Sequence, residues 1–438
     1  MSSALKSLGR RRARRNPGHT GNVGKKLSGL APARSLTALL LPGGLLVLIG
    51  LILFRPGGLP DVLQPYKQAY PFAVFGVGAA LSWYFNRSRI VFALLILSLA
   101  GLALQRVGRL GAGMDDAGRF VFLAVATLLP LNLATFAVLK ERGFFTLCGV
   151  SRLIVIGAQV LAVDLVTRLD WGGARGWLAG EFVNERLAAW SRLPQLSLVT
   201  FGVAAVFLTV RCIVKRDAIE TGFLWALGSS LAALQGLRWG WSPWAFLATG
   251  GLTLIWALVE TTYRMAYYDE LTGLPGRRAL NEALLRVGSR YAVAMVDVDH
   301  FKRLNDLFGH EVGDQALRLV AGRLSTIAGG GKAFRYGGEE FVILFARATA
   351  SEAVPHLETV RRAIADSSFV LRGPRRPRKK PAASKPPGGP QVTVALTVSI
   401  GLAEPDQRKG STTPQQVLRA ADKALYRAKS AGRNRLMV

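Results

Sequence analysis

The chain has 438 residues, half of them hydrophobic, with 56 Lys and Arg against 27 Asp and Glu and a formal net charge of +29. It is too apolar for an ordinary soluble protein and too charged for a pure membrane bundle, and its length suggests two or three domains. The excess positive charge suits nucleic acid, an anionic lipid surface or a phosphorylated substrate, so its placement has to decide between them. With only Cys148 and Cys212 present, the chain is not built on a disulfide framework.

Residues 1–34 are rich in Lys and Arg and contain no acid. The run that follows, "SLTALLLPGGLLVLIGLILF" (35–54), is long enough to span a bilayer. The rival reading is a signal peptide, against which stand the length of the run and the lack of a clear small-residue cleavage site. Further apolar segments occur at about 71–85, 90–105, 120–138, 153–166, 195–211, 220–236 and 243–260. The turns "NRSR" (86–89), "KER" (140–142) and "RCIVKR" (211–216) are basic and fall on alternate connections, whereas 106–119 and 167–194 are mixed in sign. Eight spans with the basic tail inside would put those three turns, and the C-terminal part, on the cytoplasmic side. Seven spans would put the C-terminal part outside. This predicts an all-α multi-span membrane bundle over 35–260. Asp164 lies near the end of one segment, as an intramembrane functional acid or as an interfacial residue.

After Glu260 the texture becomes polar, with no Gly/Ser linker. Pro275 suits the first turn of a helix continuing through "GRRALNEALLRV". "YAVAMVDV" (291–298) reads as a strand and 314–328 as a helix. "AFRY" and "FVILF" read as two strands around a Gly-rich turn, 351–367 as a helix, "VTVALTVSIGLA" (392–403) as a strand, and 413–432 as a helix. The order β-α-β-β-α-β predicts an α+β, ferredoxin-like antiparallel sheet with helices on one face, over 261–438. The segment 371–390, rich in Pro and basic residues, reads as an insertion, either a solvated loop or a segment drawn to anionic lipid. Aromatic residues do not interleave its charges, so no specific nucleic-acid partner is expected.

In that topology Asp297 and Asp299 end the first strand beside the turn carrying Gly337, Gly338, Glu339 and Glu340. Carboxylates crowded at one edge need a counter-charge. A hard divalent cation, Mg2+ or Mn2+, supplies it, because such ions take a few carboxylates together with substrate phosphates. The paired glycines leave room for a ligand, and Lys302, Lys429 and Arg433 could meet phosphate oxygens.

Five motifs, "DELTGLPGRR", "VDVDHFKRLNDLFGHEVGD", "RYGGEEF", "TVSIGLA" and "ADKALYRAKSAGRNRL", stand in order over about 267–438. In these the chain resembles the GGDEF family of diguanylate cyclases. The resemblance implies condensation of two GTP molecules into cyclic di-GMP and pyrophosphate by a transient homodimer. By matching position it implies metal ligation by Asp297, Glu339, Glu340 and the Val298 carbonyl, with Glu339 also the proposed general base. It implies guanine recognition by Asn305 and Asp314. Phosphate contacts would come from Lys302, Lys429, Arg433 and amides near Phe301, with Gly337 and Gly338 in the substrate turn. The family's inhibitory RxxD would fall on Ala328 and Gly331, so that product site is expected to be absent. Gly276, where the family has Asn, is expected to alter a turn or helix start. Alternatives from other classes are a catalytically silent GTP or cyclic di-GMP receptor bound to the lipid bilayer, and a transporter with a regulatory soluble half.

Overall fold

The computed structural model describes residues 36–107, 116–169, 191, 193–370, 393–406 and 412–438. The basic tail, the 371–390 insertion and most of the 167–194 segment lie outside the described residues.

Among the described residues the N-terminal part forms eight helices: α1 (Leu36–Leu53), α2 (Ala69–Tyr84), α3 (Ser88–Val107), α4 (Asp116–Val138), α5 (Leu147–Arg168), α6 (Gln195–Lys215), α7 (Ala218–Gly236) and α8 (Pro243–Tyr267). Each coincides with one predicted apolar segment. Six are long and apolar enough to cross a membrane; α2 and α7 are not. The first has only 16 residues. The second is enclosed by protein, which lets it carry buried Glu220, Thr221, Ser229 and Ser230. Its polar groups find partners there: Ser229 donates to the Phe246 carbonyl, and Thr253 donates to that of Gly222. Asp164 is exposed and pairs with Arg168 one turn on, which fits the interfacial reading.

The three basic turns meet at one end of the bundle. Arg89 and Arg211 both donate to the Ala137 carbonyl. Arg89 pairs with Glu141 at 3.0 Å, and Arg211 and Lys215 pair with Glu220. Arg152 bridges Ser88 and the Lys140 carbonyl. Burying such charges is tolerable only when each is paired and hydrogen-bonded. The far end of α8 emerges at this collar, where Arg87 touches Met265.

Beyond α8 come α9 (Arg277–Leu285), β1 (Ala292–Val298), α10 (Phe301–Phe308), α11 (His310–Leu324), β2 (Gly331–Gly337), β3 (Glu340–Phe345), α12 (Ala350–Ala365), β4 (Ser368–Val370), β5 (Thr393–Ala395), β6 (Val398–Ala403), α13 (Pro414–Ser430) and β7 (Leu436–Met437). The main sheet has the order β2-β3-β1-β6-β7. Its first four strands are antiparallel neighbours, as expected, but β7 joins β6 in parallel, so the sheet is mixed.

Helices cover both faces of the sheet rather than one. Every residue of β1 is buried. Ala292, Ala294, Val296 and Val298 face α10, α11 and α12. Val293 and Met295 face α9 and α13. A strand buried on both sides reads as a continuous apolar run, and "AVAMVDV" is one. Gly401 lets α13 lie directly on β6: a Cβ there would come within about 2.0 Å of the Leu425 nitrogen. Phe334, Phe341 and Phe345 are fully buried, each contributing about 1.5–3 kcal/mol by transfer from water.

Other boundaries differ too. The 392–403 run divides at Leu396 and Thr397, with β5 pairing β4 in a separate two-stranded sheet. The helix expected over 314–328 starts earlier, at His310, and α10 precedes it. Pro275 lies two residues before α9, in a turn where Tyr268 bridges to it. Gly276 takes the N-cap position without a side-chain cap bond.

Candidate active site

Asp297 and Glu340 stand directly opposite each other across β1 and β3. Cross-strand partners of this kind project from the same face. The Val298 N–H donates to the Glu339 carbonyl at 3.4 Å, tying the end of β1 to the turn. Asp297 is 4% exposed, and its Oδ2 is 2.9 Å from Nζ of Lys429, which reaches down from α13. Burial pushes the Asp297 carboxyl upward, and Lys429 opposes that push. The Glu339 carboxyl is also pushed up, first by burial and then by the charge of Asp297, with Glu340 adding and Lys429 subtracting. Arg433 lies close enough to lower Asp297 electrostatically. The structure therefore brings Asp297, Val298, Glu339, Glu340, Lys429 and Arg433 to one sheet edge.

Asp299, the other acid at the end of β1, is used differently. It accepts from the hydroxyls of Thr397 and Ser399 and from the Asn434 N–H. With those bonds made it is a structural fastener of β1, β6 and the turn after α13.

The remaining candidates sit on α10 and α11. The Phe301 side chain is in the core. Its backbone opens α10 after His300, which is left-handed (φ 57°) and offers no side-chain cap. Lys302 beside it is exposed. Asn305 packs against Gly313, where a Cβ would fall 1.9 Å from the Asn305 Oδ1. That Oδ1 is buried without a hydrogen-bond partner, against a glycine that immediately precedes the half-buried Asp314. A buried acceptor left unpaired is costly, and a ligand's donor would relieve it.

Gly337 and Gly338 form the β2–β3 turn, with Gly338 at φ +25°. The register shifts between Arg335 and Gly337, a bulge that the two glycines allow. Arg335 holds the turn by donating Nη2 to the Gly338 carbonyl at 2.8 Å, and it pairs Nη1 with Asp269 at 2.7 Å. Asp269 also accepts from the N–H and hydroxyl of Thr272. Burial would raise its carboxyl, but Thr272 and Arg335 outweigh that and hold it below the ordinary value. The motifs "DELT" and "RYGG" thus meet in space. Sequence reasoning gave neither Asp269 nor Arg335 a role, although Asp three residues before Thr is a local turn signal. A cleft of about 390 Å³ opens on this side of the turn, lined by Tyr268, Asp269, Arg277, Arg278 and Tyr336. It does not include Asp297 or Glu339.

Among the described residues no group of three or more His, Cys, Asp or Glu forms a ready-made metal cage. A Mg2+ site of the kind expected needs fewer, since one or two carboxylates plus phosphate oxygens suffice. Asp297 and Glu339, both pushed up first by burial and neighbours at one end of the sheet, are a carboxylate donor set that fits such an ion.

The family described as diguanylate cyclase, GGDEF domain, matches residues 266–378. Diguanylate cyclase DgcP of Pseudomonas aeruginosa is 36% identical over 188 residues, covering 41% of this chain and 25% of that protein. Diguanylate cyclase VdcA of Vibrio cholerae is 35% identical over 176 residues, covering 39% of this chain and 47% of that protein. This chain thus spans less than half the length of these curated relatives. Among solved structures, the coiled coil and GGDEF domain of DgcB from Caulobacter crescentus in complex with c-di-GMP is 32% identical, with a TM-score of 0.34. That likeness covers 41% of this chain and 88% of that one. On these matches, residues 266–378 of the chain belong to the GGDEF domain family.

Proposed function

We propose that the protein is a membrane-bound diguanylate cyclase that condenses two GTP molecules to cyclic di-GMP and two pyrophosphates, with the helical bundle as anchor or sensor. The observation that carries this reading is the convergence of Asp297, Glu339 and Glu340 with Lys429 at one sheet edge. Six helices of membrane-spanning length and composition support the location. The gathering of the basic turns at the end where α8 emerges favours a cytoplasmic catalytic domain and N-terminus.

In this reading Asp297, Glu339, Glu340 and the Val298 carbonyl would hold a divalent ion. When bound, the ion supplies charge neutralisation of the triphosphate and acidifies the attacking hydroxyl. Lys429 exchanges its bond with Asp297 for phosphate oxygens. Lys302, Arg433 and the free amides at the start of α10 take the remaining phosphates, as a helix N-terminus is suited to do. The unpaired Asn305 Oδ1 and the Asp314 carboxylate receive donors on the guanine edge, a pattern adenine mismatches.

A second copy presents the other GTP. Its 3′-oxygen bonds to the α-phosphorus, the bond to pyrophosphate breaks, and the hydroxyl proton passes to a base. Glu339, with its raised carboxyl, is the candidate to receive it. A second such displacement, with the roles of the two nucleotides exchanged and the second pyrophosphate leaving, closes the ring. Homodimer geometry therefore governs rate through proximity.

The test is GTP turnover by the full chain in detergent or nanodiscs with Mg2+, scored for cyclic di-GMP beside Glu339→Ala. Product from the parent and none from the variant supports the cyclase. GTP binding without product from a dimeric parent would replace it with a silent receptor.

A further inference from the structure

The turn that carries Arg433 is held in a demanding backbone conformation. Gly432 has φ 111°, and two successive residues with side chains, Arg433 (φ 62°) and Asn434 (φ 45°), are left-handed. Left-handed backbone is unfavourable at a residue such as Arg, and two such residues in succession persist only if neighbours impose them.

Two side chains from distant parts of the chain do so. Asp299, at the end of β1, takes the Asn434 N–H at 3.1 Å. Arg361, on α12, donates Nη1 to both the Asn434 carbonyl (3.0 Å) and its Oδ1 (2.7 Å). The other side of the same guanidinium, Nε and Nη2, is fixed on Glu358 at 3.0 and 2.9 Å. The Arg361 side chain is only 14% exposed. Asn434 is thus gripped at its N–H, its carbonyl and its side chain, leaving Arg433 one residue away with its backbone direction set. Arg361 is not among the groups gathered around Asp297. The planar fork of its guanidinium lets one side chain hold Glu358 and Asn434 at once.

We propose that Arg361 is a positioning residue for phosphate binding. It clamps Asn434 so that Arg433 is directed at the triphosphate of GTP, and it does so from a helix that contributes nothing else to the site. This inference rests on the cyclase reading for the identity of the ligand.

The experiment is direct titration of the full-length protein with a non-hydrolysable GTP analogue and with GMP. The proteins are the parent, Arg361→Ala, Arg361→Lys, Arg433→Ala and the Arg361→Ala/Arg433→Ala double variant. Loss of one charge-assisted phosphate contact should weaken the triphosphate about tenfold. GMP binding should change little, and melting should stay cooperative. Arg361→Lys keeps the charge but not the fork, so it should lose nearly as much while disturbing the fold least. The double variant should be no weaker than Arg433→Ala, because both changes remove one contact.

Equal weakening of GMP and the triphosphate, or additive losses in the double variant, would overturn the inference and leave Arg361 as packing only. Unchanged triphosphate affinity in Arg361→Lys and Arg361→Ala would overturn it as well. A parent that binds neither nucleotide would remove the cyclase reading itself, and this inference with it, and is distinguished from the other outcomes by the parent alone.

Discussion

The ammonium of Lys429 lies 2.9 Å from Oδ2 of Asp297, so a buried carboxylate proposed to hold a divalent ion already has a cation beside it. This pairing makes stability and activity separable at one edge of the sheet. Lys429→Ala leaves Asp297 buried without its partner and should cost about 1–3 kcal/mol of stability in the metal-free protein. Asp297→Asn removes the charge that burial disfavours and should cost less, while lowering cyclase activity by at least about a hundredfold through loss of the metal site. Thermal melts with and without Mg2+, beside turnover, read both effects.

Glu339 gives a pH dependence with a definite sign. Its carboxyl sits above the ordinary 4.5, so the folded protein binds a proton that the unfolded chain has already released. Stability of the metal-free protein should fall as pH rises from about 4.5 through the raised value. Glu339→Gln should flatten that slope and raise the melting temperature at neutral pH while abolishing product formation. Chemical unfolding at a series of pH values, without divalent ions, tests it; a steeper slope in the variant would contradict it.

Asp269 behaves in the opposite sense. Held below the ordinary 3.8 by Thr272 and Arg335, it contributes stability above that value which is lost as pH falls beneath it. Asp269→Asn should therefore matter at neutral pH and hardly at all at strongly acid pH. Arg335→Lys should reduce kcat/KM more than it reduces stability, because an ammonium cannot hold Asp269 and the Gly338 carbonyl together. Parallel melts and steady-state kinetics distinguish the two.

In the bundle, Glu220 is 1% exposed and faces both Arg211 and Lys215. Removing one partner of a buried pair costs about 3–5 kcal/mol. Glu220→Ala should destabilise the solubilised protein by that order, and Glu220→Gln by less because it keeps a hydrogen-bond acceptor. A melt of the detergent-solubilised full chain followed by helical circular dichroism reads the difference.

Much of this was legible because the relevant signals are local. Apolar run length located the eight helices described in the N-terminal part, six of them of spanning length and hydropathy, and "AVAMVDV" and "FVILF" announced themselves as strands by their β-branched and aromatic residues. The proximity of Asp297 to Glu340 followed from topology, since only one pairing of strands places that turn beside the end of β1. Which face each helix covers was not legible. Nothing in the 414–430 sequence says that it crosses β6 on the side away from α12; Gly401 supplies the contact, and a glycine within a strand has several readings. Nor could Asp299 be told from Asp297 by type or spacing. The first spends its oxygens on Thr397, Ser399 and Asn434, partners 98 to 135 residues away. Arg361 was hidden for the same reason: its meaning lies in Asn434, 73 residues further on.

The end of α8 has a mechanical consequence. The Tyr267 carbonyl accepts the Gly276 N–H, the Pro275 carbonyl accepts the Arg335 N–H, and Arg335 grips Gly338. These links join a helix that begins at Pro243 inside the bundle to the glycine turn beside Glu339. A twist of α8 relative to the sheet is therefore met by these bonds first: the domain follows the helix, or one of the bonds breaks, or Gly338 moves.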